Sequence, residues 1–514
     1  MLLDANKLED IGADLDCDIV IVGAGTVGLF LAVSLANDGR RVVLVESGGR
    51  IADTSRNSLT AQSRGKQHYG VAFGRASGLG GTSVLWGGQL AEFEEQDLTR
   101  DEAIWPISFS ELQKWYAYVY DQLGINARRT MADYRKRFGD EAEGSDDIER
   151  FFTYWLDQPN FATFYKRELV SGQNIRVILN ATVNDINLDG AMAEEVIAVS
   201  GIRQLRIRGK AFVFATGTVA TSRFFLSTQR RSAVPWRLNQ QIGCYFQDHL
   251  GGRIADVDVQ DEKKFREFFE NGFAEGLKVQ PKLRLAAASR NDLPTGISGF
   301  FAFRSEFSEN ISNIKALVRA LRSGSSYSGV ATLPSDILAL ARAFGPIVAR
   351  YLRDHRVLAL FDQAVELHVQ VEQIPLCSSR ITLSEDDVAE DGLWCALVNW
   401  QIEGGERETI CGFARAADSY LQRLGIAKLR ASPSLQLGSP EFFEQLSDTY
   451  HPCGGMRMSA TRSAGVVDPD CRVWDTANVY VAGASVFPSS SSANCTLTAL
   501  ALAARLASTL AKAQ

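Results

Sequence analysis

Apolar residues in this chain come in short blocks divided by glycine-rich or polar turns. The first block predicts a complete supersecondary unit. Ile19 to Val22 is an unbroken apolar run of strand length, and Gly23, Gly25 and Gly28 follow it. Leu29 to Leu35 then reads as an apolar helix ending near Asn37-Asp38-Gly39. A second apolar run, Val42 to Val45, delivers Glu46. In such a strand–turn–helix–strand unit the first glycine permits a tight turn. The second lets backbone approach a pyrophosphate, and the third lets helix and strand pack closely. The pyrophosphate sits on the helix N-terminus, beside Thr26, where unpaired N–H groups and the helix dipole favour negative charge. Glu46, eighteen residues after Gly28 and followed by Ser47, is placed to accept hydrogen bonds from a ribose. The unit therefore predicts a bound adenine dinucleotide.

Further along, the punctuation changes. Residues 1–16 read as a polar lead-in and residues 50–75 as polar loop, with His68 expected at the surface. The stretch Gly74 to Leu90, GRASGLGGTSVLWGGQL, is too rich in glycine for a regular helix or strand. It predicts a second close backbone approach to the cofactor, through Arg75, Gly80, Gly81, Thr82, Ser83, Trp86 and Gly87. Ser108 followed by Glu111 marks a helix start, and the acidic run Asp140 to Arg150 reads as a surface loop. Residues 174–188 alternate as a strand pair. Ala211 to Ala215 reads as a buried strand that ends in Thr216-Gly217, a third such approach. Beyond residue 250, VELHVQVEQIP, SRITLS and LWCALVNWQI predict strands of an antiparallel sheet. Pro334 to Leu358 predicts a packed helical insertion kinked at Pro346. The expected fold class is α/β (α+β overall), a Rossmann-like domain interwoven with a domain on an antiparallel sheet plus helices. The expected division is residues 1–250 for the dinucleotide, with lid and loop segments at about 50–150. Residues 251–440 are assigned to substrate, and residues 441–514 complete the first domain and the active site.

Composition narrows the partners. A chain of 514 residues exceeds one simple core. A net charge of -7 with no basic run excludes nucleic acid as the expected partner. Eight scattered cysteines without a CxxC pair read as buried or incidental thiols, with no metal site expected. No secretory signal, twin arginine or membrane-length apolar run appears, so the expected setting is cytoplasmic with no membrane partner.

Four blocks, in order, resemble the glucose–methanol–choline (GMC) flavoprotein oxidoreductases. They are the N-terminal unit, GLGGTSVLWGG with WPIS after it, FATGTVATSRFFL, and the C-terminal run from HPCGGMRM through GVVDPDCRVWDTANVYVAGASVFPSSSSANCTLTALALA. The resemblance implies FAD. It also implies a cradle that includes Ala215, Gly217, Gly483, Ala484, Asn494 and Thr496 besides the glycine blocks. Family members that tether FAD through histidine do so in the second glycine block. This chain has Leu85 and Trp86 there, so noncovalent FAD is implied. Gly483 stands where many relatives have Asp, and Cys495 where Pro usually follows the Asn.

The family's histidine beside the flavin falls on His451, and its second His or Asn on Asn494. A neutral imidazole can take a hydroxyl proton at neutral pH, while a carboxamide holds the same oxygen without competing for the proton. The flavin takes the hydride. Substrate contacts are expected from His451 and Asn494, and from Glu372 and Gln373 at a strand end. The resemblance lies closest to bacterial sugar-oxidising, pyranose oxidase-like and C-glycoside 3-oxidase-like members. It implies oxidation of a secondary hydroxyl of a sugar, glycoside or related polyol to a ketone. The alternatives are a non-sugar (aryl or aliphatic) alcohol, or a flavin-binding lyase or non-redox flavoprotein. Oxygen and a quinone-like acceptor both remain open, as does the oligomeric state.

Overall fold

The computed structural model describes all residues except 8–14, 56, 101–102, 139–145, 291–292, 306–345, 347, 357, 361–362, 437, 440 and 513–514. Its first sheet is built on parallel strands in the spatial order Leu2–Asp4, Ile175–Leu179, Val42–Val45, Cys17–Val22 and Arg203–Phe214, with Val479–Val481 also parallel to the last. Arg203–Phe214 serves two layers. Its first half pairs antiparallel with Met192–Ser200, which in turn pairs with Thr182–Asp189. There exposed and buried residues alternate, whereas Ala211 to Phe214, between two parallel neighbours, is buried throughout. That switch from alternation to a continuous apolar run is what covering both faces of a parallel sheet demands. Helix Thr26–Asn37 is buried along Gly28 to Leu35 and packs against the C-terminal helix Cys495–Lys512.

The second sheet is antiparallel, in the order Ala427–Ala431, Leu250–Val259, Ala364–Val371, Ile297–Arg304, Leu277–Leu285, Ile148–Trp155 and Gln89–Leu90. Helix Glu406–Arg423 packs on one of its faces, placing Phe413 against Gly299. A small third sheet joins Arg380–Val388 and Trp394–Trp400 to Ala61–Gly65. The fold is thus the expected mixed α/β architecture.

Three local expectations change. The lead-in contributes a strand, Leu2–Asp4, because its backbone pairs in parallel with Val177 to Leu179 along the sheet edge. The acidic stretch gives way to a strand from Ile148, held by eight paired positions on Leu277–Leu285. Residues 61–65 form a strand, and His68 is fully buried as the N-cap of helix Tyr69–Phe73. Polar composition hid these because each is stabilised by a distant partner. Most of the expected insertion at 334–358 lies outside the described residues; residues 348–354 are helical, and the kink expected at Pro346 borders residue 347, also outside them. Among the described residues no helix is long and apolar enough to cross a membrane.

Candidate functional site

The carboxyl ends of the parallel strands open into one cavity with about 1790 Å³ of empty space, part of it open to solvent. Ligands of open α/β sheets bind at this end. Gly23, Gly25, Thr26, Glu46, Ser47, Arg75, Gly81, Thr82, Ala215, Gly217, Gly483, Ala484 and Thr496 all line the cavity, and so does His451. Gly28, Gly80, Ser83, Trp86, Gly87, Asn494, Glu372 and Gln373 lie outside its lining.

The residues present fit an adenine dinucleotide. At Gly25 a Cβ would meet no protein atom within 4 Å, leaving the approach to the helix N-terminus open. At Gly28 a Cβ would fall 1.9 Å from the Gly23 carbonyl oxygen, so this glycine sets the packing of turn on helix. A Cβ on Gly81 would sit 2.7 Å from the Gly25 Cα, which brings the second glycine block against the first. Gly80 fastens the two by donating to the Ala24 carbonyl (2.9 Å). Ser83 donates to the Gly80 carbonyl, and the Trp86 indole donates to the Pro159 carbonyl (2.9 Å). Gly87 lies under Trp155. These residues build the loop that carries the cradle.

Glu46 is a buried carboxylate with two tasks. Its Oε1 accepts from Gly48 and Gly78 N–H (both 2.9 Å) and from the Ser47 hydroxyl (3.1 Å), tying the loops together. Its Oε2 accepts from Ala24 N–H (2.8 Å), which leaves acceptor capacity on the cavity side for a ribose hydroxyl. Burial pushes its pKa up, opposed by those N–H donors.

The His451 ring also borders this cavity and is partly exposed. Its Nδ1 lies 2.7 Å from the Thr449 hydroxyl, which lies 3.3 Å from Asp248 Oδ1. With Thr449 donating to the carboxylate, its oxygen accepts from His451 Nδ1–H, and Nε2 keeps the lone pair. Asn494 Nδ2 donates to that Nε2 at 3.1 Å, and Asn494 Oδ1 is buried without a protein partner. Burial, followed by the neighbouring His249 charge, lowers the His451 pKa to about 3; Asp248 acts the other way. His249, 5.0 Å away between ring centroids, moves oppositely. Burial opposes its charge, but Cys495 and Asp248 raise its pKa. Cys495 is lowered to about 6, first by the Cys453 hydrogen bond, against burial, and then by His249. Adjacent imidazoles whose surroundings push them apart mark distinct roles, His451 being the neutral one.

Two residues that sequence reasoning passed over organise this site. Fully buried Asp248 accepts from His249 N–H (2.7 Å), His451 N–H (2.9 Å), Thr449 N–H (3.1 Å) and His68 Nε2 (3.1 Å). Burial alone would raise its pKa, but the His68 hydrogen bond and the surrounding imidazoles hold it below the ordinary value. Thr449 carries no sequence signal, whereas Asp248 sat visibly beside His249 in GCYFQDH. Gln373 Oε1 accepts from Trp400 Nε1 (2.7 Å) and Asp248 N–H (3.2 Å), and its amide donates to the Gln401 carbonyl. Glu372 Oε2 accepts from Gly296 N–H (2.7 Å) and pairs with Arg100 (2.9 Å). Gln373 is thus engaged within the protein, whereas Glu372 Oε1 is buried without a hydrogen-bond partner.

Comparison with known proteins follows the same division. The family of FAD dependent oxidoreductases matches residues 18–241, and the GMC oxidoreductase family matches residues 375–503. A C-glycoside 3-oxidase from Microbacterium trichothecenolyticum is 32% identical over 129 residues, a match spanning 25% of this chain and 23% of that protein. Among solved structures the fold is similar to pyridoxine 4-oxidase from Mesorbium loti (TM-score 0.59, 16% identity, 96% of this chain and 99% of that one). It is also similar to a fungal aryl-alcohol oxidase (TM-score 0.57, 13% identity, 97% and 99%) and to formate oxidase (TM-score 0.55, 14% identity, 96% and 98%). One match covers the dinucleotide unit and the other the block that holds His451 and Asn494, so the chain carries an FAD dependent oxidoreductase region followed by a GMC oxidoreductase region.

Proposed function

We propose that this protein oxidises a secondary hydroxyl of a sugar, glycoside or related polyol to a ketone, with His451 as the proton acceptor. The observation that carries the reading is His451 on the cavity lining, with its Nδ1 2.7 Å from the Thr449 hydroxyl and its Nε2 3.1 Å from Asn494 Nδ2. Bound FAD supplies the hydride acceptor. Substrate displaces the Asn494 amide from Nε2, His451 takes the hydroxyl proton there, and the imidazolium so formed keeps its Nδ1–H on Thr449, whose hydroxyl reaches Asp248. Asn494 uses its amide N–H on the substrate oxygen as negative charge develops there. Gly23, Gly25, Glu46, Gly81, Gly217 and Gly483 line the space for the cofactor. In this reading residues 1–250 and 441–514 hold FAD and residues 251–440 present the substrate.

The likeness to a C-glycoside 3-oxidase supports the choice of a sugar ring over an aryl or aliphatic alcohol. Noncovalent FAD is supported by the cavity lining, in which His451 is the one histidine among the described residues. Eight free cysteines accord with a cytoplasmic, reducing setting. The test is anaerobic flavin reduction across monosaccharides, glycosides and aryl alcohols. Bleaching by a sugar that is lost in His451→Ala supports the reading; bleaching by none, or bleaching that persists in His451→Ala, overturns it. Peroxide yield against the rate with a quinone then assigns the electron acceptor.

A further inference from the structure

Lys282 is 4% exposed in the middle of the antiparallel sheet, yet among the described residues no carboxylate pairs with it. Its ammonium reaches Gln89 Oε1 at 3.4 Å and lies 5.5 Å from the centre of the Phe300 ring. Other buried cations nearby are matched: Arg290 has Glu94 and Asp97, and Arg100 has Glu372. A charged amine removed from water without a counter-ion is strongly disfavoured unless something else completes its environment. Burial lowers the Lys282 pKa to about 8, so it keeps its proton at neutral pH.

The sheet directs this charge toward the site. Arg284 lies opposite Ser298, and Ser298 opposite Gln370, so Lys282, two residues from Arg284, shares their face. From that face Ser298 and Gln370 donate to the Ser492 carbonyl (3.2 and 2.9 Å), two residues before Asn494. Lys282 is also near enough to His451 for its charge to disfavour the imidazolium.

We propose that Lys282 is an anion-recognising residue of the substrate wall, and that the substrate is a sugar or glycoside bearing a carboxylate. The inference rests on the reading of the site as a sugar-oxidising one. The carboxylate belongs to the sugar ring, as in a uronic acid, or to the aglycone; either supplies the missing counter-ion.

Binding is measured by calorimetry on FAD-loaded protein carrying His451→Ala, so that turnover does not consume ligand. The ligands are phenyl β-D-glucoside, phenyl β-D-glucuronide and 4-carboxyphenyl β-D-glucoside. At least one acid is expected to bind more tightly than the neutral glucoside. Lys282→Met should erase that advantage, about 10- to 100-fold for a charge-assisted contact, and Lys282→Arg should retain most of it. Whichever acid gains identifies the source of the carboxylate. Equal affinity for all three ligands, or an advantage that survives Lys282→Met, overturns the proposal. Because an apolar side chain of similar length suits a buried site, the Tm of Lys282→Met should not fall. A failure of every sugar to bleach the wild-type flavin would refute the oxidoreductase reading and leave this binding comparison intact.

Discussion

Thr449→Val separates the orientation of His451 from its presence. The hydroxyl at 449 is the bridge from His451 Nδ1 (2.7 Å) to Asp248 Oδ1 (3.3 Å), and valine keeps its shape without its hydrogen bonds. In the resting site the lost bond is between neutral groups and is worth about 0.5–1.5 kcal/mol. Once His451 carries the substrate proton, the same bond is charge-assisted and worth about 1.5–3 kcal/mol. Only the difference, about 1–1.5 kcal/mol, acts on proton abstraction, which should therefore slow by about 5- to 13-fold in kcat because the interaction strengthens as the imidazolium forms. Stopped-flow flavin reduction under anaerobic conditions measures this step. FAD content should match wild type, since Thr449 is not among the cavity-lining residues. Thr449→Ser, which restores the hydroxyl, should recover most of the rate. Reduction by Thr449→Val at the wild-type rate, or an equal loss in Thr449→Ser, would refute the reasoning.

Three further outcomes follow from the geometry. His451→Ala should keep its flavin absorbance and lose about 10²–10⁴-fold in flavin reduction, the usual share of a general base. Gly25→Val should give folded protein with little bound flavin, because its side chain meets only open cavity, whereas Gly28→Ala should yield little folded protein because its Cβ strikes the Gly23 carbonyl at 1.9 Å; circular dichroism with flavin absorbance distinguishes the two. The His451 pKa, about 3 folded against about 6.5 unfolded, means that acid binds the unfolded chain first. Its contribution is complete above pH ~6.5, is lost as pH falls toward 3, and amounts to about 1–2 kcal/mol by pH 5 after allowance for the ring's access to the cavity. Between pH 7 and 5 the Tm of wild type should therefore fall further than that of His451→Gln, and equal falls would contradict it.

The sequence discloses most where local pattern and tertiary role coincide. Ile19 to Val22, Val42 to Val45 and Ala211 to Ala215 are continuously apolar because parallel neighbours and helices cover both faces, so their strand character is written locally. Leu2–Asp4 and Ala61–Gly65 lack such runs and become strands only by pairing with residues far along the chain. The lining of the cavity was similarly legible at Gly25 and Glu46, whose spacing carries the geometry. Glu372 and Gln373 had the composition of ligand contacts; the Gln373 amide is bonded to Trp400, whereas Glu372 accepts from Gly296 through Oε2 and its Oε1 is buried without a hydrogen-bond partner. No local pattern announces the Thr449 bridge, because a threonine two residues before a histidine becomes a relay only when Asp248 is brought to it from two hundred residues away.

Asp248 could itself be suspected as the base, being the carboxylate nearest His451. Its surroundings argue otherwise. Both oxygens already accept N–H donors, from His249 and Thr449 on one and from His68 and His451 on the other, and the residue is fully buried outside the cavity lining. A proton placed there would displace a donor and strip the negative charge from two imidazoles. A fixed anion that never meets substrate can instead favour a positive charge forming one residue farther on, at His451, where cavity access and a lone pair coincide. Because His68 reaches the same carboxylate from the segment just before the second glycine block, that anion also ties the cofactor cradle to the His451 block. Disturbing Asp248 should therefore damage both halves of the site, whereas disturbing Thr449 should touch only proton transfer.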